Sequence, residues 1–250
     1  MIDFHVHQPS PSGAWGASGF DAKTYVEFMD GVRVDVSVVF TIDGLLDPSR
    51  PGNDGLRDYV AAAPDRLVGF GTCAPRDPAA PDEVERALGE LGLRGIKFHP
   101  WLQGFAPHEP FMDPICEVAA RHQAPILFHD GTPPYSTPLQ IAALAGRHPR
   151  TPMVLGHGGL HDMWREAIVA VNENENLHIC MCGLPPYAMR RVVDDCPVER
   201  ILFGTDGGLG DRGDQPYVAT RLRHLQELDL TDDQRAAITD RNARRLLRWQ

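Results

Sequence analysis

Five of the eleven histidines and one aspartate stand at or near the ends of short apolar runs that are typical of buried strands. They are His5, His7, His99, His129, His157 and Asp206. Neutral imidazole nitrogens and carboxylate oxygens are ligands for Zn²⁺, Mn²⁺ and Fe²⁺. The residue types therefore predict one divalent metal ion, with zinc as the first expectation and manganese or iron as alternatives.

Two of these histidines lie two residues apart, in the run IDFHVH at the start of the chain. Because side chains alternate along a strand, Asp3, His5 and His7 should share one face and the apolar residues beside them the other. The apolar face should pack on helices, and the polar face should point inward, where ionisable groups need partners. A hydrogen-bonded core histidine is the alternative for either residue alone, but the whole set of strand-end ligands favours a metal site.

The elements that must position these residues recur along the chain as eight apolar runs, which begin 24 to 33 residues apart. The runs begin at Ile2, Val34, Leu67, Gly95, Pro125, Pro152, Leu177 and Ile201. With helical patterns between them, they predict an α/β fold, a single (β/α)₈ TIM barrel over residues 1–250 with a closing C-terminal helix. An open doubly wound sheet is the alternative, but the segment after the first run, QPSPSGAWGASGF, contains no GxGxxG phosphate loop.

Composition limits the partners of the chain. Its formal net charge of −10 disfavours a nucleic-acid backbone as ligand. It has no run of 18 apolar residues and no signal peptide, so we expect no membrane association. The five cysteines are scattered without a CxxC pair, which is typical of a reduced, cytoplasmic protein. A small molecule is therefore the expected partner.

The ordered motifs DFHVH, GIKFHP, LFHDG, LGHGG and LFGTD resemble those of the amidohydrolase superfamily. The chain is most similar to the amidohydrolase-related branch that includes aminocarboxymuconate semialdehyde decarboxylase and related aromatic-acid decarboxylases. The resemblance implies a metal-dependent TIM-barrel enzyme with its site at the carboxyl rim of the barrel. A homodimer is a further possibility that the resemblance implies, because family members are often dimers or larger.

Position by position, the resemblance implies roles for the strand-end residues. His5 and His7 correspond to the paired metal ligands of the first strand, His129 to the ligand of the fifth, and Asp206 to the carboxylate ligand of the eighth. His157 corresponds to a catalytic histidine that polarises water or substrate. Asp206 is expected to be catalytic as well, because it can accept a proton.

Lys97 lies two residues before His99 in the fourth run and has three readings. It resembles the strand-4 lysine that is carboxylated and bridges two metals in binuclear relatives. Unmodified, it could bind a substrate carboxylate, or it could be a structural lysine paired with Asp3 or another acid. We expect a single metal and count Lys97 and His99 among the substrate-binding residues.

Aromatic residues and one arginine follow several of the strands and predict further substrate contacts. The candidates are Trp15, Trp101, Tyr135 and Arg212. They suit a small aromatic or carboxylate substrate. Cys180 and Cys182 share a face of the seventh strand, and we expect buried, inert thiols that line the barrel.

Two reactions fit this set of residues. The first expectation is hydrolysis of a small-molecule amide, lactone or ester by a metal-activated water. The alternative is non-oxidative decarboxylation of an aromatic or unsaturated carboxylic acid. A phosphoesterase is disfavoured by the net charge and by the presence of only two lysines. A non-catalytic barrel is disfavoured because all five family positions are filled.

Overall fold

The computed structural model describes residues 1–8, 21–46, 48–208 and 215–249. Within these residues, eight strands form one parallel sheet in chain order, each paired with the next. The strands are β1 (Ile2–Gln8), β2 (Val36–Thr41), β3 (Leu67–Gly71), β4 (Gly95–Phe98), β5 (Ile126–Phe128), β6 (Met153–Leu155), β7 (Leu177–Cys180) and β8 (Ile201–Leu202).

The first and last strands meet and close the sheet into a barrel. The amides of Phe4 and His7 donate to the carbonyl oxygens of Phe203 and Gly207, at 2.9 and 2.8 Å. These bonds join β1 to the segment that directly follows β8. The predicted (β/α)₈ barrel is therefore confirmed.

Helices surround the barrel and connect its strands. They are α1 (Ala22–Val32), α2 (Ile42–Leu46), α3 (Ser49–Ala61), α4 (Ala80–Gly89), α5 (Pro100–Gln103), α6 (Met112–His122), α7 (Pro138–Arg147), α8 (Trp164–Glu173), α9 (Pro186–Asp195), α10 (Gln215–Glu227), α11 (Asp232–Ala236) and α12 (Asn242–Leu247). A 3₁₀ turn spans Val198–Arg200, and a π-helical turn spans Ala237–Arg241. Helix α7 shows why such segments begin where they do, because Thr137 and Gln140 form a reciprocal capping box at its first turn. In the part of the chain that is described, each helix is too short or too polar to cross a bilayer.

Two apolar clusters lie on the two faces of the sheet. Alternate strand residues such as Val38, Leu127 and Val154 belong to an inner cluster that fills the barrel. Their neighbours, for example Ile126 and Phe128, belong to an outer cluster formed with the helices. Burial on both faces explains why the strands are almost entirely apolar up to their carboxyl ends.

The alternation predicted for β1 is wrong at its beginning. Ile2 and Phe4 belong to the inner cluster, whereas Val6 packs in the outer cluster. The cause is a bulge, because the pairing with β2 shifts between Asp3 and Val6. Asp3 lies between two residues that face the barrel interior, so its side chain lies on the other face of the strand. Asp3 and His5 therefore do not share a face, contrary to the prediction.

The C-terminal helix closes the barrel at the end opposite the strand carboxyl termini. Ala243, Leu246 and Leu247 of α12 pack into the inner cluster beside Ile2. The buried amide of Asn242 donates to the carbonyl oxygens of Val198 and Ile201, at 2.7 and 2.8 Å. These bonds fix the helix to the entry of β8.

We predict that Asn242→Ala lowers the free energy of unfolding by about 2 kcal/mol, because two hydrogen bonds from a buried amide to backbone carbonyl groups are lost. Urea unfolding followed by circular dichroism measures this change. Asn172→Ala is the matched control, since Asn172 is exposed and donates to a single carbonyl, that of Asp195. We expect a change of about 0.5 kcal/mol or less for the control. Equal effects of the two substitutions would contradict the anchoring role of Asn242.

Candidate active site

The polar residues predicted at the strand ends converge on the carboxyl rim of the barrel. His5, His7 and Lys97 lie within β1 and β4, and the others follow β4, β5, β6 and β8 within four residues. Those others are His99, His129, His157 and Asp206. In a parallel barrel this rim is where catalytic groups are found.

His5 is held with one nitrogen toward the centre of the barrel. Its Nδ1 lies 3.0 Å from the carbonyl oxygen of Gly156 and must donate, because a carbonyl only accepts. Nε2 therefore carries the lone pair; it accepts from Lys97 Nζ at 3.3 Å and lies 3.4 Å from Asp206 Oδ1. A histidine whose second nitrogen donates to a backbone carbonyl is typical of metal ligands.

Asp206 joins the two histidines of β1. Its Oδ1 lies 3.0 Å from His7 Nε2 as well as near His5. Burial alone would raise the pKa of Asp206, but His157, His7 and Lys97 lower it below its usual range. Asp206 is therefore an ionised carboxylate. Its backbone φ of 63° lies in the left-handed region.

His129 and His157 adjoin this group. The ring of His157 has its centroid 4.5 Å from that of His5 and 4.4 Å from that of His129. The ring of His129 stacks on His99 at 3.8 Å, and its Nε2 lies 2.8 Å from the hydroxyl oxygen of Thr132. His129 is thus beside the site, with Nε2 engaged by a hydroxyl group.

Four side chains come close enough to share one ion. Single ligand atoms of His5, His157, Cys182 and Asp206 lie within 4.8 Å of one another. Nδ1 of His157 and Nδ1 of the neighbouring His7 are buried without a hydrogen-bond partner among the described residues. This donor set, with its unpartnered nitrogens, fits a metal ion.

The imidazoles are in the form that binds metals. Burial lowers the pKa of His5 well below its usual value, and lowers the pKa of His157 to about 4. Burial, helped by Lys97, lowers the pKa of His99 to about 2. These rings are neutral at pH 7 and each offers a lone pair.

Lys97 is fully buried inside the barrel. Its Nζ contacts His5 Nε2 and lies 4.5 Å from the centre of the Phe40 ring. Burial lowers the pKa of Lys97 to about 8, so most of it is an ammonium ion at pH 7. Within the described ranges Lys97 has no carboxylate at salt-bridge distance, and Asp3 bonds instead to Thr205. The pairing of Lys97 with Asp3 considered above is therefore not observed.

The predicted substrate contacts differ in their placement. Trp101 and Tyr135 are exposed, at 51% and 42% of their surface, and the Trp101 ring lies 6.4 Å from that of His99. Trp15 and Arg212 lie outside the described residues. The structure thus brings Lys97 and His99 to the centre and leaves the two described aromatic residues at its edge.

Two residues near the centre were missed as site residues. Cys182 was expected only to line the barrel; burial raises the pKa of its thiol well above the usual value. Asp130 accepts hydrogen bonds from the amides of His157 and Gly159, both at 2.6 Å, and so fixes the backbone that carries His157. Its position directly after His129, in LFHDG, was the available sequence signal.

Solved structures share this fold over nearly the whole chain. A 2,6-dihydroxybenzoate decarboxylase from Rhizobium is 20% identical with a TM-score of 0.77, covering 99% of this chain and 98% of the other. A 5-carboxyvanillate decarboxylase from Sphingomonas paucimobilis is 19% identical with a TM-score of 0.77 and the same coverage. A dihydroxybenzoic acid decarboxylase from a Polaromonas species, with bound manganese and 2-nitroresorcinol, is 17% identical with a TM-score of 0.78, covering 99% and 96%.

At these identities the likeness concerns the fold. No curated protein matches the sequence significantly. The sequence profile of the Amidohydrolase family, in contrast, matches residues 2–249. This match covers all eight strands, the rim histidines and the closing helix, and it confirms the resemblance seen in the motifs. The chain belongs to the Amidohydrolase family.

Proposed function

We propose that this protein is a metal-dependent decarboxylase that removes the carboxyl group of a hydroxylated aromatic acid as CO₂. This reaction was the alternative in the sequence analysis. It is supported by the fold shared with decarboxylases that act on dihydroxybenzoate and 5-carboxyvanillate. Residues 1–250 would act as one domain, since the strands and the closing helix share one barrel.

The observation that carries the proposal is a buried cation, Lys97, at the centre of the barrel beside the candidate metal ligands. The neighbouring imidazoles are neutral, and Lys97 adds a buried cation without a carboxylate partner among the described residues. With a divalent ion bound, the positive charges of the ion and of Lys97 would exceed the negative charges of Asp206 and Asp130. A buried unbalanced charge is costly, so the site favours an anionic substrate.

His5, His7 and Asp206 would hold the ion. The imidazole of either His129 or His157, which adjoin these residues, would complete the set of ligands. When bound, a divalent ion supplies a Lewis acid that binds and polarises carboxylate and phenolate oxygens. Zinc remains the predicted ion, and the thiol of Cys182 near the site favours it. Manganese is the alternative, and it is the metal bound in the Polaromonas structure.

The side chains of the protein would bind the substrate and move one proton. Lys97 would donate to a carboxylate oxygen of the substrate from within the barrel. The reaction breaks the bond between the ring carbon and the carboxylate, releases CO₂ and places a proton on that carbon. Since Asp206 is ionised and His157 is neutral at rest, the proton would be taken up from water, and Asp206 and His157, whose ligand atoms lie within 4.8 Å of each other, would pass it to the ring carbon.

Hydrolysis of an amide, lactone or ester, the first expectation from the sequence, is the second candidate. The ionised state of Asp206 favours it, because a carboxylate can accept a proton from an attacking water. Both reactions use the same residues, so only the products distinguish them.

We predict that protein loaded with Mn²⁺ or Zn²⁺ releases CO₂ from 2,6-dihydroxybenzoate or 5-carboxyvanillate and forms the corresponding phenol. Carbon dioxide detection and chromatography of the phenol measure the reaction. The variant His5→Ala/His7→Ala should be inactive, because it loses two proposed ligands. The control His122→Ala/His224→Ala removes two histidines of outer helices and should remain active.

Parallel assays with esters, lactones, amides and a phosphodiester complete this test. Turnover of an acyl compound without CO₂ release would replace the proposal with the second candidate. Turnover of the phosphodiester alone would contradict both.

We also predict that Lys97→Met lowers kcat/KM for the carboxylate substrate by about 10- to 100-fold, because a hydrogen bond between charged groups is lost. Methionine keeps a similar length without the charge. Lys23→Met is the matched control, since Lys23 is exposed and is the only other lysine of the chain. Steady-state kinetics of both variants measure the effect. Equal kcat/KM values for the two variants would contradict a substrate-binding role for Lys97.

A further inference from the structure

We propose that Asp3 and Thr205 are positioning residues that hold the metal-binding carboxylate of Asp206 against the histidines of β1. The inference rests on the proposed metal-dependent function. It assigns a role to a buried carboxylate that lies behind the site and that the proposed reaction does not use.

Asp3 is 2% exposed and accepts three hydrogen bonds from residues next to the site. Its Oδ1 accepts from the amides of Thr205 and His5, at 2.9 and 3.2 Å. Its Oδ2 accepts from the hydroxyl of Thr205, at 2.5 Å. One carboxylate thus contacts both the strand that carries His5 and the segment that carries Asp206.

Thr205 extends this connection to the far side of Asp206. Its hydroxyl oxygen also accepts from the amide of Gly207, at 3.1 Å. The residues immediately before and after Asp206 are therefore tied to each other through the same hydroxyl group, and through it to Asp3.

This restraint matters because the backbone of Asp206 is held in an unfavourable conformation. A φ of 63° is unfavourable for a residue with a side chain and persists only when surrounding contacts hold it. The amide of Asp206 itself donates to the carbonyl oxygen of His5, at 2.9 Å. Loss of the Asp3–Thr205 contacts would free the turn and move the carboxylate of Asp206 relative to His5 and His7.

The bulge of β1 explains why Asp3 and His5 lie on different faces of the strand. Regular alternation places the side chain of Asp3 opposite Ile2 and Phe4, outside the inner cluster, and the break after Asp3 keeps His5 from following it to that face. The same break lets His5 and His7 reach Asp206. Asp3 therefore bonds to Thr205 without competing for the ion.

The test compares Thr205→Val, which removes the hydroxyl at nearly constant volume, with Thr205→Ser, which keeps it. Thr151→Val is the matched control, because Thr151 is equally buried and its hydroxyl donates to the carbonyl of Cys116 away from the rim. Mn²⁺ affinity is measured by calorimetry at a temperature at which circular dichroism shows all metal-free proteins folded.

We expect Thr205→Val to bind Mn²⁺ about 10- to 100-fold more weakly than the wild type, as is typical when a residue that orients a ligand is lost. Thr205→Ser should restore binding to within about threefold, and Thr151→Val should bind like the wild type while unfolding more easily. Unchanged Mn²⁺ affinity in Thr205→Val would overturn the inference and leave Thr205 a purely structural residue.

A second readout separates this inference from the proposed function. If the wild type itself binds no Mn²⁺, the proposed function fails. The ring nitrogen resonances of His7 in the metal-free protein still report its contact with Asp206 Oδ1. A shift of these resonances in Thr205→Val but not in Thr205→Ser supports the positioning role, and identical spectra overturn it.

Discussion

The contact between β1 and the segment that follows β8 is the constraint on which the site depends. The barrel closes there, through the backbone bonds from Phe4 and His7 to Phe203 and Gly207. Closure brings residues from the two ends of the chain within hydrogen-bond distance, and it places Asp206 beside His5 and His7. The neighbouring strands carry the remaining rim residues. A change in the closure would therefore separate Asp206 from His5 and His7 and disrupt the site.

Electrostatics then decides what the closed rim can bind. Burial keeps the imidazoles neutral, whereas Lys97 remains a cation and Asp206 an anion. This combination can accept a divalent ion and still attract an anionic substrate, which is the reason for preferring a carboxylic acid over a neutral amide. Asp3 and Asp130 are not proposed as ligands, because backbone amides and, for Asp3, the hydroxyl of Thr205 occupy their oxygens.

Much of the fold and part of the site could be predicted from the sequence. Strand spacing gave the barrel, and residues that end parallel strands must converge, which located His5, His7, His157 and Asp206 together. The face of Asp3 could not be predicted, because a bulge leaves no sequence signature in IDFHVH. The contacts of Asp130 and Cys182 were missed since periodicity gives the face of a side chain but not its distance from a partner across the barrel.

The central proposal is that His5, His7 and Asp206 bind one divalent ion at the carboxyl rim. Anomalous diffraction at the manganese edge, from crystals grown with equimolar Mn²⁺, tests it most directly. We predict a single strong peak within coordination distance of His5 Nε2, a ring nitrogen of His7 and a carboxylate oxygen of Asp206. A peak at surface carboxylates alone, or none at the rim, would contradict the claim.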